Sequence, residues 1–132
     1  MGSPAPFAES HPLSTVKLEL DPPGPGELLV EVKAAGLCHS DLSVITGKRP
    51  RVMPMAIGHE AAGIVVETGD GTSAFKAGDH VVLAFVPTCG VCECCMGGRP
   101  ALCEPGAAAN GARSLLGGHL RLQEEGGEAR RQ

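Results

Sequence analysis

A chain of 132 residues has room for one domain with a modest core. Eleven Lys and Arg against fifteen Asp and Glu leave a formal charge of −4, which disfavours a nucleic-acid backbone or an anionic membrane as the main partner. Nineteen Gly and eleven Pro, with no Trp, no Tyr and three Phe, describe a chain that turns often and builds its core from aliphatic residues. Irregular β structure suits that composition better than a helical bundle.

In chain order, residues 1–12 read as an N-terminal extension. Met1 to Ser10 has neither a basic start nor an apolar run, so no signal peptide is expected there. Leu13 to Leu20 alternates, with Val16, Leu18 and Leu20 on one face, and reads as a strand. Asp21-Pro-Pro-Gly-Pro-Gly26 must turn. Glu27 to Ala35 is a second strand, with Leu28, Val30 and Val32 facing one way and Glu31 and Lys33 the other. Ser40 to Thr46 predicts a short helix that buries Leu42 and Ile45 and ends at Gly47. Met53 to His59 is loop, Ala61 to Thr68 a strand ending at Gly69-Asp-Gly71, and Val81 to Val86 a last strand entered through Lys76-Ala-Gly-Asp79. Beyond Pro87 a Cys- and Gly-rich loop runs to Cys103, and residues 124–132 form a polar tail expected to be disordered. The fold class expected is mainly β, a partly open barrel with short helices.

No stretch approaches the run of about 20 apolar residues that a membrane-spanning helix requires. A cytoplasmic location follows, where thiols stay reduced, so the six cysteines read as metal ligands or catalytic groups before disulfides. Cys89, Cys92, Cys95 and Cys103 lie at separations of 3, 3 and 8. Two consecutive C-x-x-C steps let three sulfurs converge on one ion, and the fourth returns through Gly97, Gly98 and Pro100. Four thiolates close a tetrahedral Zn²⁺ site and leave no open position, so the site is structural. Disulfides, an iron site and incidental clustering are the other readings. Cys94 reads as a free thiol. A zinc-ribbon nucleic-acid module is the competing class, but the loop offers only Arg99 as a basic contact.

Upstream lie Cys38-His-Ser-Asp41 and Gly58-His59-Glu60. One thiolate and one imidazole 21 positions apart are unremarkable alone. Together with Gly36-Leu-Cys-His-Ser-Asp41, Gly58-His-Glu-Ala-Ala-Gly63, Phe75-Lys-Ala-Gly-Asp-His-Val81 and the four-Cys loop, in that order, they make Leu13 to Leu122 resemble the zinc-dependent alcohol dehydrogenases of the medium-chain dehydrogenase family. The resemblance implies a GroES-like β-barrel catalytic domain over residues 13–123, followed in the family by a Rossmann domain. It implies that Cys38 and His59 are ligands of a catalytic zinc. Ser40 looks like the hydroxyl that hydrogen-bonds the substrate alcohol and starts its deprotonation. Asp41 and Glu60 look like carboxylates behind the metal, Asp41 holding the other nitrogen of His59. His39 falls where the family often has a basic residue near the cofactor pyrophosphate. The implied reaction is NAD- or NADP-dependent oxidoreduction of a small alcohol or aldehyde, with zinc stabilising the alkoxide for hydride transfer. The implied assembly is a homo-oligomer of the full-length enzyme.

Three departures qualify the resemblance. No strand–Gly-x-Gly-x-x-Gly–helix occurs between Met1 and Gln132. The family's third catalytic ligand, usually a Cys, has no counterpart, and Ser43 replaces the relay histidine often found three positions after Ser40. These features predict a truncated or frameshifted domain that is inactive alone. A non-catalytic zinc-binding fold is the alternative reading.

Overall fold

The Pro- and Gly-rich run after Leu20 makes the first reversal of the chain, with Gly26 at φ +75° and the Glu27 N–H donating to Gly24 O at 3.0 Å. In the computed structural model, which describes residues 17–51, 55–124 and 129–130, that turn lies between strands of two different sheets. β1 (Leu18–Leu20) precedes it, and β2 (Leu28–Gly36) follows it. β2 pairs antiparallel with β3 (Glu60–Thr68), and β3 pairs with β4 (His80–Val82), giving the order β2-β3-β4. Val65 on β3, opposite Val30, is 1% exposed and is the centre of the core.

The second sheet has the order β1-β5-β6, all antiparallel, from β1, β5 (Leu122–Glu124) and β6 (Ala129–Arg130). Neither sheet closes into a barrel among the described residues. β6 lies inside the stretch expected to be disordered; the free edge of β5 supplies the backbone partners that a polar segment can use as readily as an apolar one. Residues 125–128 and 131–132 lie outside the described residues, as do residues 1–12 and Leu13 to Val16 of the expected first strand.

Three expectations change. The strand expected to run to Val86 stops at Val82, because its partner runs out: the Leu83 N–H donates to Ala61 O at 2.9 Å, and β3 begins at Glu60. Leu83 and Phe85 are accordingly exposed. Val32, expected inside, is half exposed where β2 carries register shifts after Leu29 and after Val32. The expected short helix is α1 (His39–Ile45), but its buried residue is Asp41, and Leu42 faces out. Beyond it come α2 (Glu93–Met96), a 3₁₀ turn (Pro100–Leu102) and α3 (Glu104–Ala112). None of these helices is long and apolar enough to cross a membrane.

One ion pair ties the second sheet's approach to the first turn. Arg121 Nε donates to Glu27 Oε2 at 2.8 Å, and the Gly24 N–H donates to the same oxygen at 2.8 Å. Burial pushes the Glu27 carboxyl up, but Arg121, the Gly24 N–H and the charge of His119 outweigh it and hold the group below the usual carboxylate range. A depressed carboxylate stabilises the fold above the ordinary carboxylate pKa and loses that contribution as pH falls through its own lowered value. Glu27→Gln is therefore expected to cost on the order of 1 kcal/mol at neutral pH and nothing in strong acid. Urea midpoints measured across that range check it; a cost independent of pH would contradict the assignment.

Candidate metal centres

The cysteine loop brings four sulfurs together. Donor atoms of Cys89, Cys92, Cys95 and Cys103 all lie within 4.8 Å of one another. Gly90, at φ +76°, lets the chain reverse between Cys89 and Cys92, and the Cys92 N–H donates to Cys89 Sγ at 3.3 Å. Cys95 lies within α2, and Cys103 caps α3, its sulfur accepting from the Gly106 and Cys89 N–H groups at 3.3 Å each. Cys103 is fully buried.

The donor chemistry fits a soft divalent cation. Zn–S bonds of ~2.3 Å in a tetrahedron place sulfurs ~3.8 Å apart, and Cys92 Sγ and Cys103 Sγ are 3.9 Å apart. N–H groups of Val91 and Cys92 bring the Cys89 thiol down to about 6, while burial and the hydrogen-bonded neighbour Cys92 push Cys95 up to about 12. Thiolates this close repel one another, and a cation between them removes the repulsion. Cys94 stands outside the cluster, its thiol raised by burial and by the charges of Cys92, Glu104 and Cys103.

A second cluster forms where α1 meets the start of β3. Cys38 is the N-cap of α1, with its sulfur accepting the Ser40 N–H at 3.5 Å, while Asp41 Oδ2 accepts the Cys38 N–H at 3.1 Å. This reciprocal cap explains the local use of Cys-x-x-Asp: both side chains are fixed by orphan donors of the first helical turn. The other oxygen of Asp41 accepts from the Gly58 N–H at 3.2 Å and lies 3.3 Å from His59 Nδ1. A carboxylate on Nδ1 leaves Nε2 to face the remaining donors. Nε2 lies 3.4 Å from Ser40 Oγ and 4.0 Å from Glu60 Oε1. Phe85 packs edge-on against the imidazole, with centroids 4.9 Å apart.

Cys38, His59 and Glu60 place one donor atom each within the same 4.8 Å limit. Expected behind the metal, Glu60 is thus near enough to be a third donor, and its side chain is 53% exposed. Hydrogen bonds from the Ser40 hydroxyl, the Ser40 N–H and His59 lower the Cys38 thiol, against burial and the charge of Glu60. Burial depresses His59, but hydrogen bonding to Cys38 and the charges of Asp41 and Cys38 raise it overall. His39 is not among these clustered donors; its Nδ1 lies 3.4 Å from Ser43 Oγ, one turn along α1. A cavity of about 660 Å³ opens beside the cluster, reached by Ser40 and His59 and walled by Leu83, Phe85, Leu115 and Leu116. Arg49 and Arg51 also line it. Neither Arg was singled out from sequence, although both sit in a stretch, Leu42 to His59, that holds no carboxylate.

An open antiparallel β framework with one closed and one cavity-facing donor cluster defines a class of small domain with two candidate metal centres. Residues 24–129 match the alcohol dehydrogenase GroES-like domain, and the chain belongs to that family. Putative alcohol dehydrogenase D of Mycobacterium tuberculosis is 48% identical over 101 residues, which are 76% of this chain and 27% of that protein. Alcohol dehydrogenase B of the same organism is 42% identical over 118 residues, 89% of this chain and 32% of its own length. A solved alcohol dehydrogenase zinc-binding domain protein from Burkholderia ambifaria superposes with a TM-score of 0.81 at 37% identity, covering 89% of this chain and 32% of that one. The chain thus spans about a third or less of the length of the curated relatives it matches.

Proposed function

We propose that this chain carries the metal-binding part of an NAD- or NADP-dependent alcohol dehydrogenase, acting on a small alcohol or aldehyde. The four-Cys cluster holds a structural zinc, and Cys38 and His59, with Glu60 in reach, hold a catalytic one. The observation that carries this reading is the contrast between the clusters. One is four thiols with a fully buried member, and the other is a mixed S/N/O set beside a cavity of about 660 Å³. Zinc bound at the second cluster would supply Lewis-acid polarisation of the substrate oxygen.

The chain's own residues divide the remaining work. Cys38 offers a thiol already made acidic by Ser40 and His59. Asp41 anchors α1, the Gly58 backbone and His59 at once, which fixes the imidazole so that Nε2 faces the cavity. Ser40 is the hydroxyl beside that nitrogen; its oxygen would accept a hydrogen bond from the substrate hydroxyl and, as that proton leaves, its own proton would pass on to solvent. Phe85 packs edge-on against the imidazole, and with Leu83 it gives the cavity an apolar wall beside the donors.

Zinc stoichiometry and turnover test the reading together. A polypeptide of these 132 residues is expected to hold two zinc ions of unequal affinity, the second stripped first by a competing chelator because its third donor is a solvent-facing carboxylate. Cys38→Ser should remove only the labile ion. NADH formation from ethanol or benzyl alcohol is expected to be undetectable, since no glycine turn for a pyrophosphate occurs in these residues. Turnover that disappears in Cys38→Ser would show that the segment is an enzyme by itself. Two ions of equal affinity would contradict the division into structural and catalytic sites.

A further inference from the structure

We propose that Arg49 and Arg51 form a carboxylate-recognition subsite in the cavity beside the second cluster. The alcohol taken there then carries an anionic group on the end away from its hydroxyl. The inference deepens the functional reading above and rests on it, because it takes the hydroxyl end to sit at Ser40, Cys38 and His59.

The argument begins with the charges that line the cavity. Asp41, Arg49, Arg51 and His59 are the ionisable groups among its lining residues. Asp41 is 9% exposed, and its two oxygens are already committed to the Cys38 N–H, the Gly58 N–H and His59. The guanidinium groups of Arg49 and Arg51 have no ion pair or side-chain hydrogen bond among the described residues. Only the backbone of Arg49 is engaged, its N–H donating to Ser43 O at 2.8 Å. Two cations with no counter-ion among the described residues therefore line a concave space that Val44, Ile57, Leu83 and Phe85 make largely apolar.

The chain as a whole does not explain them. Its net charge is −4, yet the stretch from Leu42 to His59 carries Lys48, Arg49 and Arg51 and no carboxylate. The other side chains at this cavity have the reverse polarity: Asp41 lines it and holds His59 Nδ1, and Cys38 and Glu60 stand beside His59. A molecule with a hydroxyl at one end and a carboxylate at the other is thereby oriented in one sense: its carboxylate is repelled by Glu60 and drawn to the guanidinium groups. Arg suits that partner because its planar fork donates two parallel N–H groups to the two oxygens. Leu83, Phe85, Leu115 and Leu116 line the same cavity and offer an apolar wall for an aryl or alkyl spacer. Hydroxy-carboxylates of this build, and the matching aldehyde-carboxylates, are the substrate class. Phosphate oxygens of a nicotinamide cofactor share the anionic chemistry, so the experiment must separate the two sources.

The zinc-loaded full chain is titrated with 4-(hydroxymethyl)benzoate, with benzyl alcohol and with NADP⁺, followed by NMR shifts at Ser40 and at the Arg side-chain N–H groups. The same titrations are run on Arg49→Gln, Arg51→Gln and the double variant, with zinc content and melting as folding controls. The carboxylate is expected to bind about tenfold more tightly than benzyl alcohol, the preference falling to about twofold or less in the double variant. The affinity for benzyl alcohol should stay unchanged. A preference that survives the double variant, or equal binding of the two alcohols by the parent chain, overturns the subsite. So does a double variant that loses NADP⁺ and keeps the carboxylate, which would assign the cations to the cofactor. Ser40→Ala separates the two levels of the argument. If it weakens both alcohols while the Arg variants do nothing, the metal-site reading stands and the subsite falls; if it affects neither alcohol, both fall.

Discussion

Replacing Cys103 by Ser is expected to remove the tightly held zinc ion and to unfold the C-terminal half of the described structure. Cys103 is the fully buried member of its cluster, and its sulfur accepts two backbone N–H groups, one from Cys89 and one from the start of α3. Serine would place a shorter, harder oxygen where the other three thiolates leave room for sulfur. Structural zinc sites contribute on the order of 10 kcal/mol to folding, as much as the whole stability of an ordinary domain, about 5–15 kcal/mol. Among the described residues, Cys103 is the fully buried side chain of this half of the structure. Metal analysis and a thermal melt of the same sample, with and without chelator, give the result. An unchanged metal content in Cys103→Ser, or a disulfide between any two of the four cysteines in freshly reduced protein, would remove the basis for the site.

Gly106→Ala is expected to be the most damaging substitution that leaves every candidate ligand in place. Gly106 is buried in the first turn of α3, and a Cβ there would lie 1.7 Å from the Pro87 carbonyl oxygen and 3.3 Å from Cys103 Sγ. By helix propensity alone, Ala would be better by about 1 kcal/mol. Backbone cannot swing aside as a flexible side chain can, so the helix must lift off the segment leading into Cys89, at a cost of about 3 kcal/mol or more. Gly111, on the same helix and exposed, has nothing within 4 Å of its ideal Cβ. Gly111→Ala should therefore stabilise by up to ~1 kcal/mol. Denaturant midpoints of opposite sign for the two variants are the expected result, with faster zinc release from Gly106→Ala. Two shifts of the same sign and size would mean that the close approach to Pro87 is absent in solution.

The parts of the molecule written into short stretches of sequence were the readable ones. Cys89, Cys92 and Cys95 are spaced so closely that the chain between them can do little except turn back, and the turn at Asp21–Gly26 follows from proline and glycine chemistry alone. Features set by distant partners were not readable. The last strand of the β2-β3-β4 sheet is shorter than its apolar run because β3 begins at Glu60, a fact located 22 residues upstream of Val82. α3 escaped notice because Glu104-Pro-Gly-Ala-Ala-Ala-Asn-Gly-Ala112 contains two glycines and shows no apolar periodicity; Pro105 in its first turn was the available signal. In α1 the pattern suggested Leu42 as the buried residue, whereas Asp41 is, because its carboxylate has three donors to satisfy. The proximity of Glu60 to Cys38, and the shared cavity of Ser40 and Arg51, depend on how α1 meets β3, which no local pattern encodes.

The pairing of β1 with β5 has a consequence for the order in which this chain assembles. Leu18 lies opposite Glu124 and Leu20 opposite Leu122, so the first strand described waits for the second-last before it has a neighbour. The β2-β3-β4 sheet joins segments much nearer in sequence and closes shorter loops, which form at lower entropic cost. On a ribosome, where the chain emerges from its N-terminus, β1 is thus synthesised early and paired late. During that interval its backbone groups are unsatisfied and free to bond to another chain. Synthesis slowed anywhere between Leu20 and Leu122 lengthens the exposure of that edge, and the cysteine loop, whose four thiols must converge on one point, lies inside the window.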